Sequence, residues 1–249
     1  MPSKIPNLLV NGATGIAVGG GNKHSPSTTL GRVCEAVIYR IKNKESTPED
    51  ILKIIKGPDF PTGGIAVMSA NALNGYKYGR GQVSVKAKAE IDDELHKIII
   101  TEIPYNLNKS SLIEGIVNIV KDKKTEDIKD IRDETDKSGI RIVIDLKNGA
   151  SGESVLNTLY RHTQLQTTMP IINLAVIDTA LKNLNIVDML DAFINHRREV
   201  ILRRSKYERE VAANRLHIVE GLLIAITNID DVIKLIKSSD EVSGARKKL

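Results

Sequence analysis

Tryptophan is absent from this chain, and its rings are six tyrosines and two phenylalanines, 3% of 249 residues. Proteins that hold single strands of nucleic acid on stacking platforms need several exposed rings. Any nucleic acid bound here is therefore expected to be duplex, gripped by its backbone. Cysteine is nearly missing as well. The single Cys34 excludes an internal disulfide framework and a cysteine-rich zinc site. Set among Val33, Ala36 and Val37 at helical spacing, it reads as a small buried hydrophobe. The five histidines, His24, His96, His162, His196 and His217, fall at no ligand spacing, so no metal site is expected. There is no 18-residue apolar run and no basic segment leading into an apolar one at the start. That gives no membrane span, no membrane partner and an expected cytoplasmic location.

What is present is charge. Charged residues make up 27% of the chain, the net charge is +5 and the mean hydropathy is −0.16. Such a composition suits a soluble folded protein rather than a disordered one, and the basic excess leans toward a polyanionic partner. A mass of 27.4 kDa accommodates one large domain, or one domain with an extension.

The most distinctive stretch lies near the front. The apolar run Leu8-Leu9-Val10 ends in Asn11-Gly12, a turn signal, and Ile16-Ala17-Val18 is then held between Gly15 and Gly19-Gly20-Gly21. Glycine permits left-handed backbone and close approach of a large surface, and Ile16 is left as the bulky aliphatic group at the leading edge. Two readings stand: a buried strand between two turns, or an apolar wedge of the kind that pries apart stacked bases. A phosphate loop is excluded, because Gly19-Gly20-Gly21-Asn22-Lys23 fits neither G-x-x-x-x-G-K-[ST] nor G-x-G-x-x-G.

Periodicity outlines the rest. Leu30, Val33, Cys34, Val37, Ile38 and Ile41 recur as one face of a helix entered through a hydroxyl cap among Ser25 to Thr29. Thr47-Pro48-Glu49-Asp50 opens a second helix in the order cap, proline, acids, and Gly57 to Gly64 breaks it. Gln82 to Ile91 alternates strictly and predicts one strand with Lys86 and Lys88 on a shared face and Arg80 just before it. Asp92-Asp93-Glu94 supplies a turn and Lys97 to Ile103 the returning strand. Ser111 and Glu114 have capping-box spacing for a helix reaching about Lys123. Ile140, Ile142, Ile144 and Leu146 predict a further strand, and Val155 to His162 a short helix. From about Ile186 the pattern is helical for a long way, with Phe193, Val200, Tyr207, Val211, Ile218 and Leu222 near sevens and fours. A long helix polar nearly all round is a bridge between domains or one strand of a coiled coil whose partner lies elsewhere. Hairpins mixed with helices make the fold class α+β.

No complete catalytic constellation is visible. Asp133-Glu134-Thr135-Asp136 reads as a polar turn in preference to a cation site, because no companion acids accompany it, and no serine, cysteine or tyrosine has a base beside it in sequence.

Several stretches closely resemble the A, or breakage-reunion, subunit of bacterial-type DNA gyrase: Lys4 to Gly12 with Gly15-Ile16-Ala17-Val18-Gly19, Gly57-Pro58-Asp59-Phe60-Pro61-Thr62, Gly79-Arg80-Gly81, Glu102-Ile103-Pro104-Tyr105 with Asn108-Lys109, Ile131 to Asp136 before Gly139-Ile140-Arg141, Leu159 to Gln166, and His196 to Val200. Thr163-Gln164-Leu165-Gln166 looks more like gyrase than the related decatenating enzyme. The resemblance implies a dimeric type IIA topoisomerase that cuts a gate duplex through a phosphotyrosine link while ATP acts on the B subunit. It implies a tower-like domain over residues 1–185, a coiled-coil helix over 186–222 and the start of a small helical exit-gate unit over 223–249. Met1-Pro2-Ser3 looks like family interior, so a fragment is expected. The family's nucleophilic tyrosine lies upstream in a winged-helix domain, no tyrosine here matches its context, and Mg²⁺ and ATP act through the B subunit. The fragment alone is thus expected to be inactive and to bind no cofactor.

By the same resemblance Ile16 occupies the intercalating position, with Asn11, Thr14 and Gly15 beside it as DNA-binding positions. Lys4, Arg80, Lys86, Lys88 and Lys109 are candidates for phosphate contacts by charge and position only, and each reads equally as a solvated surface residue. After the wedge the family usually has Met-Ala-Thr-Asn-Ile-Pro-Pro-His-Asn, whereas this chain runs Gly20 to Thr29, one residue longer, which puts the neighbouring loop contacts in doubt. Expected partners are double-stranded DNA, the gyrase B subunit, and a second copy of the A subunit in an A2B2 assembly. The alternatives left open are a topoisomerase IV-like A subunit, or a purely structural dimerisation or scaffold fragment.

Overall fold

The computed structural model describes residues 2–17, 20–24, 29–177, 179–239 and 241–248, with the side chains of 16–17, 20–24 and 247–248 outside the description. The chain opens with helix α1 (Asn7–Asn11) and the strands β1 (Ala13–Ala17) and β2 (Gly20–His24). Helices α2 (Leu30–Lys42) and α3 (Pro48–Ile54) follow. Next come β3 (Ile65–Val67), α4 (Ala70–Tyr78), β4 (Arg80–Lys86), β5 (Lys88–Asp92) and β6 (Lys97–Glu102). After α5 (Lys109–Lys121) stand β7 (Ile128–Asp133), β8 (Ile142–Leu146) and α6 (Gly152–His162). Strands β9 (Gln166–Ile172), β10 (Leu174–Ile177) and β11 (Ala180–Asn183) precede α7 (Ile186–Thr227), α8 (Ile229–Lys237) and α9 (Val242–Lys248). The mixture is α+β, as the patterning predicts.

Contacts divide the chain into two units, 1–194 and 195–249. The first holds two antiparallel sheets, ordered β1-β2-β9-β4-β3 and β5-β6-β8-β7, and the β10-β11 hairpin. Val83, Val85 and Ile171 line the inner face of the five-stranded sheet and pack with Leu9, Val33, Ala36, Ile51, Ala72 and Leu190 in one core. Ile98, Ile100, Ile142 and Ile144 pack with Leu112 and Ile116 of α5 and Val155 and Leu159 of α6 in a second. In the second unit, the α7 residues beyond 194 bring no buried side chain to a core.

Local chemistry explains most boundaries. Thr47 and Asp50 form the reciprocal capping box that starts α3, with Pro48 at the first helical position. Charge-assisted bonds from Lys53 and Thr47 hold the Asp50 carboxyl down at about 2. The start of α7 is tied to α2 by a two-pronged ion pair, Arg40 Nε to Asp191 Oδ1 at 2.8 Å and Nη2 to Oδ2 at 2.7 Å. The same guanidinium donates to the Ser46 carbonyl at 3.1 Å.

Four expectations are corrected. The alternating stretch is two strands, not one: β4 ends at Lys86, Ala87 is fully buried, and β5 begins at Lys88 in the other sheet. Alternation does not reveal this, because Val83, Val85 and Ala87 are all buried and the odd-numbered apolar pattern runs on past the end of β4, although in β5 Ala89 is only half-buried and Ile91 is exposed. Helix α5 is capped by Asn108, whose side chain accepts from the Ser111 N–H at 3.1 Å, so Ser111 lies inside the first turn. Helix α2 turns Val33, Ala36 and Arg40 inward and leaves Leu30, Ile38 and Ile41 exposed, so Cys34 is only half-buried. Of its expected hydroxyl cap, Ser25 to Thr28 lie outside the described residues. Thr29 occupies the cap position without a side-chain capping bond, and its N–H donates to Asp59 Oδ2 at 2.8 Å.

Helix α4 lies against β4 backbone to backbone. A Cβ on Gly81 would stand 2.3 Å from the Asn71 carbonyl oxygen and 2.5 Å from the Gly75 nitrogen. Neither atom can rotate away, so Gly81→Ala is expected to cost about 3 kcal/mol, the upper range for forced overpacking. Urea unfolding should show it as a lower midpoint at unchanged slope.

Candidate nucleic-acid interface

The Gly79-Arg80-Gly81 triplet is explained by the geometry that sets Arg80. Gly79 ends α4 in a left-handed conformation at φ +77, with the Leu184 carbonyl oxygen 2.5 Å from where a Cβ would be. Gly81 permits the α4 contact. Arg80 between them is exposed and is the first residue of β4, rather than a residue just before the strand.

Register carries this position across the sheet. Arg80 pairs with Ile172, Ile172 with Lys23, and Lys23 with Thr14, a single row over β4, β9, β2 and β1. Paired residues share a face, and three strand spacings separate Thr14 and Arg80 by about 14 Å. Arg80, Gln82, Gln166 and Thr168 are all exposed on this outer face. Lys23 enters the row by its backbone alone, and no sequence signal singles it out. Pairing between distant segments is what puts it there.

The distinctive front stretch resolves into a hairpin. Gly12, at φ +68, closes α1 with its N–H donating to Leu8 O at 3.0 Å. The Asn11–Gly12 turn is therefore present, and Asn11 is exposed with Nδ2 donating to Asn7 Oδ1. Gly15 lies in β1 opposite Asn22, in extended rather than left-handed backbone, and a Cβ there would meet nothing within 4 Å. Ile16 pairs with Gly21. Its side chain, with Val18 and Gly19, lies outside the described residues. The backbone is thus a strand, and Ile16 stands two positions along from Thr14.

The remaining lysines have neighbours. Lys86 and Lys88 do not share a strand face, since Ala87 separates them into different sheets. Lys86 Nζ sits 5.3 Å from the centre of the Tyr160 ring, a cation–π distance. Lys88 Nζ is 3.6 Å from Glu102 Oε1, and Lys109 Nζ is 2.7 Å from Asp133 Oδ2. Lys4 is exposed ahead of α1 and makes no ion pair with a described residue. The structure therefore brings Thr14, Gly15 and Arg80 onto one sheet and leaves Lys88 and Lys109 in the other part of the unit, each beside an acid. Of the tyrosines, Tyr76 is buried and its hydroxyl pushed far above its usual range by that burial. Tyr160 donates to the Ala87 carbonyl at 2.8 Å. Among the described residues no group of three or more His, Cys, Asp or Glu side chains is placed to hold a metal ion.

Comparison with known proteins gives a match to the family model for the A subunit of DNA gyrase/topoisomerase IV over residues 1–249. The chain is 47% identical over 255 residues to the DNA gyrase A subunit of Pseudomonas aeruginosa, covering 100% of this chain and 27% of that protein. It is 48% identical over 254 residues to the DNA gyrase A subunit of Aeromonas salmonicida, again covering 100% and 27%. It is 45% identical over 249 residues to that of Clostridium acetobutylicum, covering 99% and 30%. The chain thus spans less than a third of the length of these relatives.

The Lys109 ammonium, followed by the Thr135 hydrogen bonds, holds the Asp133 carboxyl down at about 2. A carboxyl depressed on folding adds stability above its unfolded value near 4, and that stability is lost as pH falls from about 4 to about 2. Lys109→Ala is expected to move the Asp133 titration upward toward its ordinary range and to flatten the acid limb of stability in this window. Carbon-detected carboxyl titration by NMR checks the first, and unfolding at stepped pH the second.

Proposed function

The chain belongs to the family of DNA gyrase/topoisomerase IV A subunits, and from that premise we propose that it forms part of the DNA gate of a type IIA topoisomerase. That enzyme breaks, passes and rejoins double-stranded DNA in a cycle driven by ATP. The part represented here binds and bends the gate duplex. The observation that carries the reading is the register row from Thr14 to Arg80, which joins the hairpin bearing Ile16 to an exposed arginine on one sheet.

Ile16 acts as the wedge. Entering a base step costs roughly a few kcal/mol in lost stacking, offset by phosphate contacts along the bent arm. Arg80 and Lys4 supply such contacts, while Asn11, Thr14 and Gly15 form the close-approach surface around the wedge. Lys86 reaches the same face from the far end of β4. Lys88 and Lys109 contribute by exchanging a carboxylate for a phosphate, so their gain is smaller. No residue of this chain is assigned as the nucleophile. Mg²⁺ and ATP act through the B subunit, and the working assembly is A2B2 in the cytoplasm. No helix among the described residues is long and apolar enough to cross a membrane. Gyrase is preferred over topoisomerase IV on the Thr163-Gln164-Leu165-Gln166 stretch.

A structural dimerisation role is favoured by a separate observation. Tyr207, Val211, Ile218 and Leu222 are exposed along α7 at the coiled-coil spacing expected of a seam awaiting a second helix. Sedimentation of the chain with and without duplex separates the two roles.

Duplex affinity measured against salt should fall with a slope of about −0.9 per phosphate contact. Arg80→Ala should reduce that slope by about 1. Ile16→Ala should lower bending of straight duplex more than affinity for prebent duplex. A flat salt dependence overturns the reading.

A further inference from the structure

Two of the motifs that carry the family resemblance, Gly57 to Thr62 (followed by Gly63 and Gly64) and Glu102 to Tyr105, have no part in the wedge or in the phosphate contacts. They meet where the two sheets of the first unit join. Residues 87–165 form an inserted body with its own core. It leaves the five-stranded sheet after Lys86 and returns at Gln166, and these two residues are direct partners across β4 and β9. Both connections therefore cross at one place, a geometry that by itself permits rotation about the crossing.

Contacts between the two segments span the crossing. Glu102, at the end of β6, accepts the Gly64 N–H at 2.5 Å through Oε2, and its Oε1 faces Lys88. Phe60 and Tyr105 stack with ring centres 5.9 Å apart and planes 24° from parallel. Gly63, at φ +72, leaves room for the carboxylate: a Cβ there would stand 2.1 Å from Glu102 Oε2. Gly64, at φ +95, lies against the Lys86 carbonyl, 3.0 Å from where its Cβ would be. A carboxylate on a backbone N–H with a ring pair beside it is directional as well as attractive.

We propose that Glu102, Phe60 and Tyr105 are a latch that fixes the angle between the inserted body and the five-stranded sheet. They are positioning residues: they set where Lys88 and Lys109 stand relative to Arg80 and Thr14. That the latch serves DNA bending rests on the DNA-gate reading above; that it fixes the angle does not.

The test uses the whole chain with Cys34→Ala and spin labels on Asn74→Cys of α4 and Lys129→Cys of β7, read by pulsed electron resonance. The parent should give one narrow distance. Glu102→Ala, and separately Gly63→Ala, should lose that single maximum in favour of a broad distribution, with the circular dichroism of both sheets retained. Glu102→Gln, whose amide oxygen still accepts from Gly64, should keep it. Tyr105→Leu, which preserves apolar bulk without the ring pair, provides a variant independent of the carboxylate and should broaden as well. Unchanged distances in Glu102→Ala and Tyr105→Leu overturn the latch. Broadened distances with duplex bending unchanged overturn its positioning role. A parent chain with the narrow distance and no duplex affinity overturns the DNA-gate reading and leaves the latch supported.

Discussion

The pairing of Lys86 with Gln166 is the constraint on which the first unit depends. It is an ordinary rung of an antiparallel ladder, yet seventy-nine residues, 87–165, lie between its two halves. The next residues inward repeat the tie, with the Ala87 N–H donating to the Leu165 carbonyl at 2.7 Å. Because this rung closes, the inserted body starts and finishes at one point and can complete its own core. For the same reason the five-stranded sheet is continuous from β1 to β3. From this rung the same ladder runs through Val85–Thr167 to Arg80–Ile172, the row that relates Arg80 to Thr14.

The elements are legible in the sequence, while their partners are hidden. Thr47-Pro48-Glu49-Asp50 announces α3 because a capping box is local chemistry, settled within four residues. The long helix is readable from its period, although nothing in that period marks its last residue. By contrast, Ala87 looks like any inward alanine in an alternating run, and only tertiary pairing shows that the strand changes sheets there. The cap at Asn108 is masked because Ser111 and Glu114 offer an equally spaced alternative three residues on. For the candidate interface, Arg80 stands out through its glycines, whose reason is geometric. Lys23 and the latch role of Glu102 do not stand out, since each takes its meaning from a residue far along the chain.

Charge on this surface is not uniform in availability. Arg80 is exposed on an open sheet face, while Lys109 and Lys88 face carboxylates. An ammonium already paired has little to gain from a phosphate, because the gain is only the difference between two similar attractions. A simple count of basic residues therefore overstates the number of cations that face no carboxylate.

Helix α7 is one element of secondary structure but two regimes of stability. Its first turns, with Ile186, Val187, Met189 and Leu190 buried and Asp191 gripped by Arg40, share the fate of the first core. Beyond residue 194 the same backbone ladder continues with no core of its own, helped by surface pairs such as Glu199 with Arg203 at 3.0 Å. Helix formation without packing is only marginal, so amide protection should decline along a single uninterrupted helix, from globally exchanging at one end to locally fraying at the other. The cooperative unit stops before the helix does, and a second helix laid along the exposed stripe would extend cooperativity without changing a single hydrogen bond.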